Sequence, residues 1–124
     1  MTNLPENHHN AARMLLPRSN CLRRKYAAVI VNAQGRLISV GYNHSEIPCT
    51  ACARQDIPHN SGNYDTCHSI HAEMMALLGV DMRELRGATL YLVCDKEDKP
   101  EPCPICRRMM AWCGVRLAEE EVRS

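Results

Sequence analysis

Aromatic residues and an excess of either charge are what this sequence most clearly lacks. Phenylalanine is absent, and aromatic residues make up 4% of the 124 positions. Aliphatic side chains and the seven methionines therefore have to fill the interior. Fifteen basic residues against fourteen acidic ones leave a net charge of +1, which gives no electrostatic footprint for a polyanion. A nucleic-acid partner is not indicated.

Long hydrophobic runs are also missing. No stretch approaches the roughly eighteen apolar residues of a membrane span, and the polar start at residues 1–10 has no apolar signal core. We therefore expect a cytoplasmic protein with no membrane partner. In that reducing compartment the eight cysteines are better explained as metal ligands or buried thiols than as disulfides. The length predicts a single domain over residues 1–124.

The apolar pattern predicts alternating strands and helices. The expected strands are 27–31, 36–42, 89–93 and 115–118. The expected helices are 6–16, 71–78 and 104–112. A turn at 32–35 joins the first two strands as a hairpin, and a polar segment, 43–69, follows them. This order implies a three-layer α/β/α domain whose central sheet is mixed or parallel.

Two short motifs carry the chemistry, His71-Ala72-Glu73 and Pro102-Cys103-Pro104-Ile105-Cys106. A catalytic zinc typically has three nitrogen or sulfur ligands from the protein and water at the fourth position. His71, Cys103 and Cys106 supply three such ligands. Glu73 is then free to accept a proton from the water and to deliver protons to a leaving group. An activated water beside a proton shuttle suits the hydrolytic loss of an amine.

Both motifs are expected to lie at the starts of helices. Pro104 is typical of the first helical position, and His71 precedes an apolar run that predicts a buried helix. Two helix N-termini should therefore converge on the metal, where their positive dipole ends favour thiolates and hydroxide.

The order H-x-E then P-C-x-x-C resembles the signature of the zinc nucleobase deaminases. The first hairpin and its Gly41-Tyr42-Asn43 loop are similar to those of deoxycytidylate deaminases, and the resemblance covers about residues 20–118. It implies a cytidine-deaminase-like fold with a central mixed sheet, a zinc cofactor and hydrolysis of a small cytosine nucleotide, with dCMP converted to dUMP and ammonia. By the same resemblance, Asn43 helps to hold the sugar of the substrate. The backbone amide of Ala72 would meet the pyrimidine carbonyl.

The other cysteines raise the question of a second metal. A segment as long as 43–69 needs ordering in a small domain, and structural zinc sites are closed by four Cys or His ligands. Some relatives bind a structural zinc through a Cys before the first strand and others in this loop. We therefore hypothesise a second zinc held by four residues that spacing alone does not select. The candidates are Cys21, Cys49, Cys52, His59, Cys67 and His68. Alternatively, several are small buried thiols.

Two departures from the family pattern leave other substrates open. His44 stands where the family usually has glycine, and the charged segment 95–101 is longer than the usual connection, so another amino-heterocycle remains possible as substrate: cytidine, guanine, a pterin-like base or a tRNA adenosine. A non-catalytic zinc-binding module is the alternative from a different class.

The chain ends soon after the last predicted strand, so we expect a homo-oligomer that covers the sheet edge. Trp112 is expected in the core or at a subunit contact.

Overall fold

The structure is a computed structural model that describes residues 5–21, 24–45 and 69–118. Its helices are α1 (Pro5–Arg13), α2 (Ala72–Leu78), α3 (Met82–Leu85) and α4 (Pro104–Cys113). Its strands are β1 (Tyr26–Val31), β2 (Leu37–Tyr42), β3 (Thr89–Cys94) and β4 (Arg116–Leu117). Each predicted element is present among these residues, with ends that differ by at most three positions.

The strands form one mixed sheet in the order β2-β1-β3-β4. β1 is antiparallel to β2 and to β3, whereas β3 and β4 are parallel. The β1–β2 hairpin turns at Asn32, whose side-chain Oδ1 accepts the backbone N–H groups of Gln34 and Arg36 at 3.0 and 2.8 Å. Gly35 has a positive φ of 85° there, a conformation that favours glycine. The mixed sheet confirms the predicted fold class.

Alternation along β1 divides the core between the two faces of the sheet. Ala27 and Val29 face α1 and pack with Ala12, while Ala28 and Ile30 face the other way, toward α2 and α4. Helices therefore cover both faces, which confirms the three-layer arrangement. The largest fully buried side chains are Ile30, Leu85, Leu90, Val29 and Cys106, so aliphatic residues do fill the interior.

Two helical regions differ from the prediction. α1 ends at Arg13, short of the predicted position 16, and a 3₁₀ turn covers Leu16–Arg18. The chain tightens where Leu15 N–H donates to Ala12 O at 2.9 Å, and Pro17 has no N–H with which to continue an α-helix. α3 was not predicted because four residues are too few to show a period; Asp81 caps it by accepting the N–H of Arg83 at 2.8 Å.

Trp112 on α4 is 78% exposed. A place in the core of this chain is therefore wrong for Trp112, because the solvent-facing side of α4 carries it. A subunit contact stays a prediction.

Over the described residues, none of the helices has the length and apolar character required to cross a membrane.

Candidate active site

Two helix N-termini meet at the predicted metal site, as expected. His71 immediately precedes α2 and Cys103 immediately precedes α4, both with extended backbone (φ −76°, ψ 152° and φ −66°, ψ 164°). Pro104 is the first residue of α4, a position where the missing N–H costs no helical hydrogen bond. The backbone directions of His71 and Cys103 are therefore fixed by the helices that follow them.

The three predicted ligands form a compact set. His71 Nδ1 lies 3.3 Å from Cys106 Sγ and 3.5 Å from Cys103 Sγ, and all three ligand atoms lie within 4.8 Å of one another. Tetrahedral zinc with ordinary Zn–N and Zn–S bonds places a nitrogen and a sulfur ligand roughly 3.6 Å apart. The separations and the donor types fit zinc, and these residues are placed to hold the ion.

The pKa values of the two thiols are shifted in opposite directions. The hydrogen bond with Cys106, aided by His71, lowers the pKa of Cys103 to about 3. The same hydrogen bond and burial raise the pKa of Cys106. The Cys106 N–H also donates to Cys103 Sγ at 3.5 Å, at the start of α4, where a thiolate is favoured. The second thiol loses its proton on ligation.

Glu73 is buried next to this set. It is the second residue of α2 and is 5% exposed. Burial raises the pKa of its carboxyl group, whereas His71 acts in the opposite direction. A carboxyl group with a raised pKa exchanges protons nearer neutral pH than an exposed one does, which suits a general acid and base.

Gly41 lets α2 lie directly against β2, which the sequence analysis did not anticipate. A Cβ at this position would come within 2.2 Å of Ala72 O and 2.7 Å of Ala76 N. Ser39 on the same strand donates its hydroxyl to Ala76 O at 2.6 Å. A glycine inside a predicted strand is the signal for such a close backbone approach. These contacts fix the helix that carries Glu73.

The two predicted substrate contacts lie at this end of the sheet. Asn43 directly follows β2 and is 7% exposed, with its side chain hydrogen-bonded to the protein. Ala72 is the first residue of α2, so its N–H has no acceptor within the helix. Their substrate roles stay predictions.

The charged segment before Cys103 is anchored to the start of β1. Asp95 accepts the Lys25 N–H at 2.9 Å, and its own N–H donates to Lys25 O at 3.0 Å. Glu97 Oε2 accepts the Tyr26 hydroxyl at 3.0 Å and lies 3.1 Å from Arg24 Nε. Burial, reinforced by nearby Cys94 and Glu97, raises the pKa of Tyr26. These contacts hold the segment against the start of β1, and no local pattern in the sequence signals them.

Of the candidates for a second zinc site, the structure describes one. Cys21 is a half-buried free thiol. Cys49, Cys52, His59, Cys67 and His68 lie outside the described residues. Asn20, next to Cys21, donates from Nδ2 to Ser45 O and accepts the Ser45 N–H, at 2.7 and 2.8 Å. The second zinc stays a prediction.

His44 forms an isolated bridge with Ile70. The backbone of each residue donates to the other, at 3.2 and 2.9 Å. The bridge brings the residues after β2 against those immediately before His71.

A His-Cys-Cys set with two buried thiols, a buried carboxyl group beside it and two converging helix N-termini on one face of a mixed sheet together define a zinc-dependent hydrolytic deaminase. The family model for the cytidine and deoxycytidylate deaminase zinc-binding region matches residues 2–118. The chain belongs to this family. Membership implies a small-molecule substrate.

Two relatives in sequence carry the same name. The chain is 34% identical over 107 residues to the deoxycytidylate deaminase of Mycobacterium phage D29, which covers 79% of this chain and 78% of the phage protein. It is 33% identical over 111 residues to the deoxycytidylate deaminase of Schizosaccharomyces pombe, covering 85% of this chain and 33% of the yeast protein. The chain thus spans about a third of the length of the yeast relative.

Solved structures show the same fold. The apo dCMP deaminase of the cyanophage S-TIM5 superposes with a TM-score of 0.64 at 23% identity, covering 96% of this chain and 87% of that one. The cytidine deaminase of Burkholderia pseudomallei gives a TM-score of 0.60 at 20% identity, covering 92% and 78%.

Proposed function

We propose that this protein hydrolyses the exocyclic amine of dCMP, giving dUMP and ammonia. The set of His71, Cys103 and Cys106 beside the buried Glu73 is the observation that carries the reaction type. The relatives named deoxycytidylate deaminase, one of them matched over most of its length, support dCMP as the substrate.

The proposed chemistry assigns the proton transfers to Glu73. His71, Cys103 and Cys106 would hold the zinc ion, which when bound would lower the pKa of a water molecule to roughly 7 and so supply a nucleophile for C4 of the base. Glu73 accepts the proton from that water and delivers it to N3. Glu73 then takes the proton of the hydroxyl group that has been added to C4 and transfers it to the departing amine, so that C4 becomes a carbonyl and the amine leaves as ammonia. Its burial supports this role, because the raised pKa allows the carboxyl group both to accept and to release a proton.

Two further groups are proposed to orient the substrate. The Ala72 N–H, at the start of α2, donates to the pyrimidine carbonyl. Asn43, which follows β2, contacts the sugar. The close packing of α2 on Gly41 supports this arrangement, because it holds the end of β2 beside the start of the helix.

Further proposals concern the domain, its location and its association. We infer a single domain over residues 1–124 that acts in the cytoplasm on a small nucleotide. We further infer a homo-oligomer, because Trp112 is exposed and the two-residue β4 forms one edge of the sheet. Covering an exposed sheet edge is a common reason for association.

A substrate panel tests the proposed function. Zinc-loaded protein is incubated separately with dCMP, deoxycytidine, cytidine, guanine, a pterin and adenosine, and ammonia release is measured. We expect dCMP to give the highest kcat/KM, with deoxycytidine showing how much the 5′-phosphate contributes. A higher kcat/KM for any other member would replace dCMP as the substrate. No release from any member would favour the non-catalytic zinc-binding module.

We also propose that a second, structural zinc is bound close to Cys21. The bonds between Asn20 and Ser45 support this, because they place Cys21 near the point where residues 46–68 begin. Elemental analysis of protein freed of loosely bound metal should give about two zinc ions per chain. Cys21→Ala should lower the content to one, whereas Cys113→Ala, the control, should leave it unchanged. One zinc per chain in the wild type would refute the second site.

A further inference from the structure

We propose that Ser19 is a positioning residue for the reaction, because its hydroxyl occupies the remaining acceptor position of Asn43 Oδ1 and so leaves the side-chain amide able only to donate to the substrate. The inference rests on the proposed function, in which Asn43 contacts the substrate. Ser19 lies just after the 3₁₀ turn Leu16–Arg18, is 3% exposed, and belongs to neither motif of the metal site.

Two backbone groups determine which way the Asn43 amide points. The Tyr26 N–H donates to Asn43 Oδ1 at 2.8 Å, and Asn43 Nδ2 donates to Arg24 O at 2.8 Å. A backbone N–H can only donate and a backbone carbonyl can only accept. In the reversed amide, Nδ2 would face the Tyr26 N–H, donor against donor, and Oδ1 would face Arg24 O, acceptor against acceptor. The backbone at the start of β1 therefore sets the orientation of the amide.

Ser19 occupies the second acceptor position of the same oxygen. Its Oγ lies 2.6 Å from Asn43 Oδ1 and also accepts the Cys21 N–H at 3.2 Å. Because an amide oxygen has no hydrogen, the Ser19 hydroxyl must be the donor to Asn43. Both lone pairs of Oδ1 are then used, by Tyr26 and by Ser19.

These contacts limit the hydrogen bonds that the Asn43 side chain can make to a substrate. Three of the four hydrogen bonds available to the amide are made within the protein, and the remaining one is an N–H of Nδ2 for which the described residues supply no acceptor. Asn43 can therefore only donate to the substrate. The group that it meets must be an acceptor, such as a hydroxyl, ring or phosphate oxygen of the nucleotide.

Asn20 provides a matched control. It belongs to the same segment and makes two hydrogen bonds to the backbone of Ser45, but no hydrogen bond described for it reaches Asn43. Loss of the Asn20 side chain should loosen residues 19–21 at least as much as loss of the Ser19 hydroxyl. A variant that acts only through this loosening would therefore behave in the same way at either position.

Steady-state kinetics with dCMP, at a temperature where all variants are folded, test the inference. Ser19→Ala should raise KM about tenfold with kcat within about twofold, because Asn43 binds a part of the substrate remote from the reacting carbon. Ser19→Thr, which keeps the hydroxyl, should recover most of the lost affinity. Asn20→Ala should leave KM unchanged. In an Asn43→Ala background, Ser19→Ala should have no further effect on KM.

Several results would overturn the inference alone: an active wild type with an unchanged KM in Ser19→Ala, an equal rise in Asn20→Ala, or a full effect of Ser19→Ala without Asn43. An inactive wild type would instead overturn the proposed function, and this inference with it. If Ser19→Ala does not fold, Ser19→Cys carries the same test, because it keeps the volume but donates only weakly.

Discussion

The two faces of the sheet are packed with similar aliphatic residues, yet only one of them carries the candidate chemistry. Histidines lie on both. On the α1 face, the His8 ring is tilted against Tyr91 and the His9 ring meets Tyr91 edge-on, with ring centroids 4.8 and 5.1 Å apart. On the opposite face, His71 precedes α2 and points its Nδ1 at two thiols. His71 is thus a candidate ligand because it lies at the start of a helix and faces two cysteines, whereas His8 and His9 face an aromatic ring.

The two faces also differ in how their helices meet the strands. α1 contacts β1 and β3 through side chains such as Ala12, whereas α2 lies against the backbone of β2 at Gly41. A side-chain contact can adjust by a rotamer change, but a backbone contact cannot. The α2 face should therefore tolerate substitution less well, in activity as well as in stability.

The largest expected effect on the α2 face is loss of the metal. Cys103→Ala removes one of three ligands, so zinc content should fall by one ion per chain and dCMP turnover should decrease on the order of 10⁴-fold or more, since water is no longer activated. Cys94→Ala is the matched control, because Cys94 ends β3 and lies outside the set. Zinc retention with normal turnover in Cys103→Ala would contradict the ligand assignment.

The next effect concerns the backbone contact of α2. In Gly41→Ala the added Cβ would meet Ala72 O at 2.2 Å, so the helix must move, at a cost of about 3 kcal/mol in the free energy of unfolding. Turnover of the folded fraction should also decrease, because the helix carries Glu73. Gly79→Ala, where a Cβ meets no atom within 4 Å, should change stability by less than about 0.5 kcal/mol. Equal denaturation midpoints for both variants would show that the contact does not constrain α2.

The smallest effect is expected on the α1 face. Ala12→Gly removes a buried methyl group and weakens the helix, which should lower the free energy of unfolding by about 1.5 kcal/mol. The kcat and KM of the folded protein should be unchanged, because α1 contributes no residue to the candidate site. A decrease in kcat comparable to that of Gly41→Ala would mean that the two faces do not differ as described.

Sequence reasoning identified the fold and the metal site because both have local signatures. Short apolar runs indicate the strands, and the spacing of Cys103 and Cys106 with Pro104 between them indicates a ligand pair at a helix start. Contacts between distant positions have no such signature. The bond between Ser19 and Asn43 joins residues 24 apart, and that between Tyr26 and Glu97 joins residues 71 apart. Neither shows a period or a motif.

Of the two alternatives predicted for Trp112, a place in the core was wrong, and the reason again lies outside the local sequence. A large apolar residue is usually buried, but the helix phase of α4 is set by Cys106 and Met110, which face the core. Trp112 follows Met110 by two positions, so it lies on a different side of the helix.

The central claim is that Glu73 transfers protons beside a zinc ion that it does not bind. Glu73→Gln keeps the size and burial of the side chain but removes its ability to exchange protons. Zinc content and dCMP turnover should be measured together on this variant and on the wild type. The account predicts an unchanged zinc content with ammonia release reduced about 10²- to 10⁴-fold. Turnover close to that of the wild type, or loss of the catalytic zinc from Glu73→Gln, would contradict it.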